Sequence, residues 1–262
     1  MKQVSVLHLC AIGAVFLTLT ACASVPAPSP FPPLEAYGHA EKAQVIRART
    51  TGLRTLAAVL TMAFSGGERQ GTFEMIVNYD ASGQMRFTAF KDLGLRTRPI
   101  FDLVFARQQY SLELHDEARR RMRQGHLSQF VQDNPAFRSF LIVGEAFFLP
   151  GFDGSGHLPV FTNAATSRFT TRLKSGATAQ WFARPDTLEI TVARLQWDGG
   201  QEPVALRLEY SHYQQIEMYY IPGRVTLTDP QLGFTTQALV KQVDINVPLM
   251  EDTFDIPALA RE

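Results

Sequence analysis

A regular alternation of apolar and polar residues, repeated along much of the chain, restricts the possible folds most strongly. Its clearest example is residues 204–211, which read VALRLEYS, with Val, Leu, Leu and Tyr at every second position. Because successive side chains of a β-strand point to opposite faces, this pattern predicts a strand with one buried face. Similar alternation occurs at residues 71–79, 85–89, 110–114 and 188–192. The sequence therefore predicts an antiparallel β-sheet.

Short turn sequences join these strand segments. Residues 80–83 read DASG and residues 198–200 read DGG, and both are typical of hairpin turns. All such segments together predict about ten antiparallel strands, and a sheet of that length tends to curl. We therefore expect a curved sheet that forms a half-open barrel.

Two further stretches predict helices. Residues 35–64 contain no proline, and their apolar residues recur at steps of three, four and seven, as on one helix face. Gly52 weakens the middle of this segment and can divide it in two. Residues 127–148 are strongly apolar, and Asn134 followed by Pro135 is typical of a helix N-terminus. Such helices must bury their apolar faces, and the concave face of the sheet is the obvious place. The predicted fold class is α+β: a curved antiparallel sheet covered on its concave face by an N-terminal helix and an inserted helical lid.

The segment at residues 115–124, HDEARRRMRQ, is polar and basic. We expect an exposed loop or a short helical turn here. Its arginines can contact anionic headgroups, each cation contributing about 1 kcal/mol near a charged surface. Alternatively, they form a solvated turn and pair with neighbouring acids. The sequence leaves both interpretations open.

The N-terminal residues predict an export signal. Lys2 precedes an apolar run at residues 4–19, which is shorter than the ~20 residues that a membrane-spanning helix needs. The run ends in LTAC at residues 19–22, which resembles the lipobox of bacterial lipoproteins at all four positions. The resemblance implies that residues 1–21 are removed as a signal peptide and that Cys22 is acylated. The alternative is an ordinary secretory signal that happens to end in Ala-Cys.

Residues 22–34 would then join the lipid to the folded part of the protein. Five prolines among residues 23–33 predict an extended tether. Ala23 follows the cysteine, and the sorting rule of the lipoproteins then implies the periplasmic face of the outer membrane in a Gram-negative host. Two or three acyl chains, at about 0.8 kcal/mol per buried methylene, anchor a protein almost permanently. We expect residues 35–262 to form a single domain.

Charge, cysteine content and motifs argue against several functions. Without the leader the chain carries 24 basic and 25 acidic residues, so nucleic acid is not an expected partner. Cys10 leaves with the leader and Cys22 is used for the lipid, which leaves no disulfide and no cysteine metal site. The sequence contains no G-x-S-x-G, S-x-x-K or H-E-x-x-H motif. We therefore expect no enzyme, no metal and no cofactor, with a hydrolase as the least favoured alternative.

The order of the predicted elements resembles the lipoprotein-localisation superfamily, the LolA/LolB-like half-barrels with a helical lid. The resemblance covers about residues 40–256. It rests on a first helix followed by a strand, a turn and a second strand containing Arg86. A buried FDLV strand at residues 101–104 and a closing strand at residues 243–248 continue the pattern.

This resemblance implies an apolar cavity between sheet and lid that holds the acyl chains of a lipid or of another lipoprotein. The implied function is lipoprotein transport or insertion at the outer membrane, with a periplasmic carrier protein as a further partner. The membrane-anchored receptor of the family has a protruding apolar loop, for which Phe148, Leu149 and Phe152 are the candidates. Candidates for the cavity lining are Phe73, Met75, Val77, Phe87, Phe101, Leu103, Phe140 and Phe147.

Two other interpretations stay open at this point. The eight apolar residues can belong to an ordinary hydrophobic core instead of a cavity. The protein can also be a non-catalytic assembly lipoprotein that uses the same fold for protein–protein interaction in an envelope complex. A constant protein partner in cells would favour the assembly role, whereas traffic of many lipoproteins would favour transport.

Overall fold

The computed structural model describes residues 30–32, 38–92, 96–116, 120–134, 137–147, 160–163, 167–173, 175–198 and 203–256. The predicted signal peptide, Cys22 and the loop candidates Phe148, Leu149 and Phe152 lie outside the described residues. Among the helices that are described, none is long and apolar enough to cross a membrane.

Fifteen strands are present in the described residues. The first six are β1 Thr55–Gly66, β2 Arg69–Asp80, β3 Met85–Asp92, β4 Thr97–Ala106, β5 Gln109–His115 and β6 Arg120–His126. The next five are β7 Val160–Asn163, β8 Arg168–Arg172, β9 Thr178–Ala183, β10 Ile190–Trp197 and β11 Val204–Ser211. The last four are β12 Gln214–Ile216, β13 Tyr219–Ile221, β14 Arg224–Asp229 and β15 Phe234–Ile245.

Thirteen of these strands form one antiparallel sheet in the order β6-β5-β4-β3-β2-β1-β15-β14-β11-β10-β9-β8-β7. Strands β12 and β13 form a separate hairpin. The two halves of the sheet meet where the first strand pairs with the last, with Leu60 opposite Val240. The outer strands β6 and β7 stand at the two ends of this order, so the sheet is open, as predicted, although it has thirteen strands instead of about ten.

The helices are α1 His39–Ala48, α2 Phe130–Asp133 and α3 Arg138–Phe147, and a 3-10 turn at Leu127–Gln129 precedes α2. Helix α3 shows that the sheet is curved. Its Gly144 lies against Met85 of β3, and its Ala146 carbonyl accepts a hydrogen bond of 2.9 Å from the Tyr210 hydroxyl of β11. Five strand spacings separate β3 from β11, about 24 Å across a flat sheet, whereas a helix is only ~10 Å wide. The sheet therefore curls around α3.

Alternating burial explains why the strands were recognisable. Along β11, Val204, Leu206, Leu208 and Tyr210 are all buried and the residues between them are exposed. The strands predicted at residues 71–79, 85–89 and 110–114 are confirmed as parts of β2, β3 and β5. The inner faces of these strands and the residues Ala43 and Ile46 of α1 belong to one hydrophobic core.

The prediction of one helix over residues 35–64 is wrong. Helix α1 ends at Ala48, Gly52 turns the chain at φ 85°, and residues 55–66 form the central strand β1. Residues 56, 60 and 64 are four apart, and this spacing places side chains on one face of either a helix or a strand. Pairing with β2 on one side and β15 on the other decides the outcome.

Two predictions about the middle of the chain are also corrected. Of the basic segment expected as a loop or helical turn, residues 120–124 belong to the edge strand β6, in which Arg120 donates a hydrogen bond to Glu113 of β5. The helix expected over residues 127–148 is divided. Asn134 ends α2, with φ −135° and its side-chain amide donating to the Phe130 carbonyl at 3.3 Å, and its own carbonyl accepts a hydrogen bond from the Phe137 backbone N–H at 2.9 Å.

An ion pair joins the convex face of the sheet to the C-terminal segment. Arg86 of β3 donates two hydrogen bonds to the Asp102 carboxylate of β4, at 3.0 and 2.8 Å, and a third to the Thr253 carbonyl at 3.1 Å. The hydrogen bonding with Asp102 raises the pKa of Arg86. Asp102 also accepts a hydrogen bond from the Thr88 hydroxyl at 2.7 Å.

Replacing this carboxylate tests its contribution to stability. We expect Asp102→Ala to lower the free energy of unfolding by about 1–3 kcal/mol, because Arg86 and Thr88 lose a charged acceptor. Arg207→Ala is the matched control: it removes an ion pair with Glu209 whose side chains are 48% and 52% exposed. That loss should be at most about 0.5 kcal/mol. Urea denaturation of both variants measures the difference, and equal losses would contradict the assignment.

Candidate functional site

A cavity of about 410 Å³ lies between helix α3 and the inner face of the sheet. The sheet residues come from β1, β2, β3, β4, β14 and β15, and the helix supplies the opposite wall. The lining is almost entirely apolar. It consists of Leu60, Met62, Phe64, Gly66, Phe73, Met75, Val77, Phe87, Phe101, Ser139, Phe140, Val143, Gly144, Phe147, Leu227, Asp229, Leu232, Phe234, Thr236 and Ala238.

Among the described residues, the cavity is closed at one end and open at the other. Leu60, Val77 and Ala238 are almost fully buried, at 0%, 2% and 1% exposure. Leu232, in the turn between β14 and β15, is 54% exposed. We call this end, formed by the β1–β2 and β14–β15 turns, the mouth of the cavity.

Aromatic rings form much of the wall between helix and sheet. Phe140 of α3 meets Phe87 of β3 edge to face, with ring centroids 5.2 Å apart, and Phe101 of β4 at 5.4 Å. Phe73 lies 6.4 Å from Phe101 and 6.1 Å from Phe64. Each of these pairs lies within the distance range of favourable aromatic contacts, so the wall is held by side-chain packing.

Helix α3 fits closely against the sheet at Gly144. A Cβ atom at this position would lie 2.5 Å from the Met85 Sδ and 3.1 Å from the Phe87 Cζ. Two residues further on, the Ala146 carbonyl accepts the hydrogen bond from Tyr210, whose pKa is raised by burial. The helix therefore rests on β3 and β11 at these points, and the cavity lies beside this contact.

The three polar lining residues do not form a catalytic arrangement. The Asp229 carboxylate accepts hydrogen bonds from the backbone N–H groups of Gln231 and Leu232, at 3.0 and 3.1 Å, and so orders the turn at the mouth. Ser139 and Thr236 supply only hydroxyl groups. In the described residues no group of three His, Cys, Asp or Glu side chains could hold a metal ion. The chemistry that this cavity offers is contact with apolar surface.

A second cavity, of about 500 Å³, lies at the opposite end of the strands, where the β2–β3 and β4–β5 turns are found. Leu141 and Glu145 of α3 line this cavity together with Ser175 and with polar residues of these turns. Glu145 is 7% exposed and accepts a hydrogen bond from the Ser175 backbone N–H at 3.1 Å. Burial, together with the charges of Glu145 and Asp80, raises the pKa of Tyr79. Because its lining mixes polar and apolar groups, this cavity is unlike the first.

The structure brings together seven of the eight residues that the sequence suggested for a cavity lining. Phe73, Met75, Val77, Phe87, Phe101, Phe140 and Phe147 line the apolar cavity. Leu103 does not line it. This residue lies two positions beyond Phe101 on the same strand face, where it is fully buried in the core.

Sequence reasoning missed the part of the lining that comes from β1, β14 and β15. Residues such as Leu60, Met62 and Phe64 were assigned to a helix, although every second residue from Leu56 to Met62 is buried. The alternation of Leu56, Ala58, Leu60 and Met62 was a signal that could have identified the strand.

Comparisons with known proteins identify the fold. No family model and no curated protein matches the sequence. A solved LolA superfamily protein from Nitrosomonas europaea superposes with a TM-score of 0.53 at 10% identity, covering 82% of this chain and 97% of that one. A DUF1329 family protein from Desulfovibrio piger superposes with a TM-score of 0.51 at 13% identity, covering 82% of this chain and 95% of that one. A domain from Vibrio parahaemolyticus, described as a putative outer membrane lipoprotein-sorting protein domain, superposes with a TM-score of 0.48 at 13% identity, covering 82% of this chain and 95% of that one. The chain has a LolA-like fold, as the sequence predicted.

The close packing of α3 against the sheet can be tested at Gly144. We expect Gly144→Val to lower the free energy of unfolding by about 1–3 kcal/mol, because the added carbons overlap Met85 and Phe87. Ser139→Val, on the same helix and facing the open cavity, is the control and should change stability by less than about 1 kcal/mol. Urea denaturation measures the free energy of unfolding of both variants. An unchanged value for Gly144→Val would show that α3 does not pack closely against the sheet.

Proposed function

We propose that this protein is a lipid-anchored protein of the bacterial envelope that binds acyl chains of a lipid or of another lipoprotein in its apolar cavity. The observation that carries the proposal is the cavity itself: about 410 Å³, lined almost only by apolar side chains and open at one end. Its volume lies in the range of small-molecule sites. Its lining offers few polar groups to a ligand, so the ligand must be apolar as well.

The binding energy would come from burial of the chain. Each methylene transferred from water contributes about 0.8 kcal/mol, so about twelve methylenes would contribute about 10 kcal/mol before the costs of association. The side chains of Met62 and Met75 can repack around a flexible ligand with little strain. Release requires no broken covalent bond; displacement of helix α3 from the sheet would open the cavity.

We further propose that the protein takes part in lipoprotein transport or insertion at the outer membrane. The LolA-like fold supports this class of function, and the lipobox at residues 19–22 supports a lipid anchor on Cys22. A soluble periplasmic carrier protein would then supply the acyl chains. The protein would act without catalysis, as a binding and transfer protein.

Blocking the cavity tests the binding function. We expect Met75→Trp to weaken binding of a fluorescent palmitate analogue by about tenfold, because the indole takes the place of about two methylenes of the ligand. Ile76→Trp is the matched control, since Ile76 is 37% exposed on the opposite face of the same strand. The assay uses fluorescence titration of a soluble form that lacks the leader and carries Cys22→Ser.

Mass spectrometry of the same soluble form, purified from cells under native conditions, should also detect co-purified lipid. If the palmitate analogue binds Met75→Trp and Ile76→Trp with the same affinity, the cavity is not the binding site. If neither variant nor the unchanged protein binds it, and crosslinking in cells captures one constant protein partner, the assembly role replaces the transport role.

The lipid anchor is tested separately. We expect intact-mass analysis of the full-length protein, extracted from membranes of a Gram-negative host, to show loss of residues 1–21 and the added mass of two or three acyl chains. Cys22→Ser should abolish both the added mass and the membrane association. A free thiol on Cys22 in the membrane-extracted protein would disprove the anchor.

A further inference from the structure

Strand β6 stands at one end of the sheet, and no described strand pairs with its outer side. Its seven residues, Arg120–His126, pair with β5 in a register without a bulge. They span about 20 Å at about 3.3 Å per residue. The chain then turns inward, because the ring of Phe130 in α2 lies 4.7 Å from that of Phe105 and 4.9 Å from that of Tyr110. Helix α2 therefore packs on β4 and β5 instead of along the β6 edge.

Alternate residues of β6 direct their main-chain groups away from β5. Just after β6, the Leu127 N–H donates a hydrogen bond to the Gln108 carbonyl at 2.8 Å. Hydrogen-bonded and non-hydrogen-bonded pairs alternate along an antiparallel ladder, so position 127 and every second residue before it face β5. The N–H and C=O groups of Arg120 and Met122 consequently point outward. Such groups are the donors and acceptors with which an added strand pairs.

The side chains along this edge present positive charge. Strand β6 reads RRMRQGH, with three arginines and no acidic residue. The Arg120 side chain is 65% exposed, whereas that of Glu113, to which it donates a hydrogen bond, is only 12% exposed. Arg121 lies 3.8 Å from Asp116, in an exposed ion pair that a partner's carboxylate can replace at little cost. An acidic partner therefore fits this edge.

The arginines project from both faces of the sheet. Arg123 is opposite Leu112 of β5, a residue of the hydrophobic core, and Arg121 is two positions away, so both project from the inner face. Arg120 projects from the opposite face, where it meets Glu113. A flat anionic surface such as a bilayer meets the cations of one face at a time, whereas a paired strand has side chains on both faces. This distribution favours an extended peptide over a membrane.

We propose that the β6 edge binds an extended acidic segment of a partner protein, which adds to the sheet as a further antiparallel strand. Opposite Arg123, Arg121 and Arg120 the partner would carry acidic side chains. Opposite Met122 it would carry an apolar one, which gives the pattern acidic–apolar–acidic–acidic. Main-chain hydrogen bonds supply affinity and this pattern supplies specificity. No described residue of β6 lines the apolar cavity, so the inference does not depend on the proposed function.

Titration with a synthetic peptide tests this interaction. The probe is the fluorescein-labelled peptide Thr-Val-Glu-Val-Glu-Glu-Val-Thr, and the protein is the soluble form that lacks the leader and carries Cys22→Ser. A scrambled peptide of the same composition is the control for the pattern. Fluorescence anisotropy measures both affinities, and the scrambled peptide should bind about fivefold more weakly or less.

Variants of β6 separate main-chain pairing from charge. Met122→Pro removes an outward N–H and should weaken binding about tenfold, because an edge hydrogen bond is lost while those to β5 remain. Met122→Ala keeps the N–H and should bind within about twofold of the unchanged protein. Arg121→Ala should weaken binding about threefold. Arg207→Ala is the control for charge, because it removes an exposed arginine from β11, and it should leave the affinity unchanged.

Hydrogen exchange measured by NMR reports whether the peptide pairs with the edge. In the complex the amides of Arg120 and Met122 should exchange about tenfold more slowly than in the free protein. Unchanged exchange at these two amides would overturn the proposal, and so would equal peptide affinity of Met122→Pro and Met122→Ala or equal affinity of the scrambled peptide.

A membrane is the competing occupant of this edge. If the peptide does not bind, the proposal is wrong. If phosphatidylglycerol vesicles then bind the soluble form and Arg121→Ala abolishes that binding, membrane contact takes its place. Binding of the palmitate analogue should be the same in all the β6 variants, so a failure at the edge leaves the cavity function untouched.

Discussion

The structure depends on a mismatch between a large sheet and a small helix. Helix α3 has ten residues, and it has to cover the inner face of a sheet of thirteen strands. Where it reaches the sheet, at Met85 and Tyr210, the contact is close. Beside this contact, a cavity of about 410 Å³ remains between α3 and the apolar inner faces of β1, β2, β14 and β15. Well-packed interiors have few such spaces, and this one is the observation behind the proposed binding function.

The sequence predicted most of the strands that bury one face, but it missed the exposed strand β6 and took β1 for a helix. Strand β11 alternates in burial as strictly as it does in polarity, and it was recognised. Strand β6 reads RRMRQGH and is largely exposed, so it has no apolar periodicity to recognise. It exists because its backbone pairs with β5. Strand β1 was taken for a helix because a four-residue spacing of apolar residues fits both structures.

The candidate site could be predicted in part for the same reason. Alternation tells which face of β2, β3 and β4 is apolar, and residues on that face line the cavity. It does not tell how far along a strand the cavity extends, which is why Leu103 was included although it lies in the core. The contribution of β15 depends on its pairing with β1, which joins residues such as Leu60 and Val240 that are far apart in the sequence. A local pattern carries no information about such a contact.

The open sheet leaves strand edges that a closed barrel would not have, and unpaired edges can recruit a second chain. At the β6 edge the side chains of Arg120, Arg121 and Arg123 are all exposed. Antiparallel association of two copies through this edge would bring cations of both copies together and strip water from them. The arginines that leave this strand without apolar periodicity would therefore weaken self-association of the protein through the β6 edge.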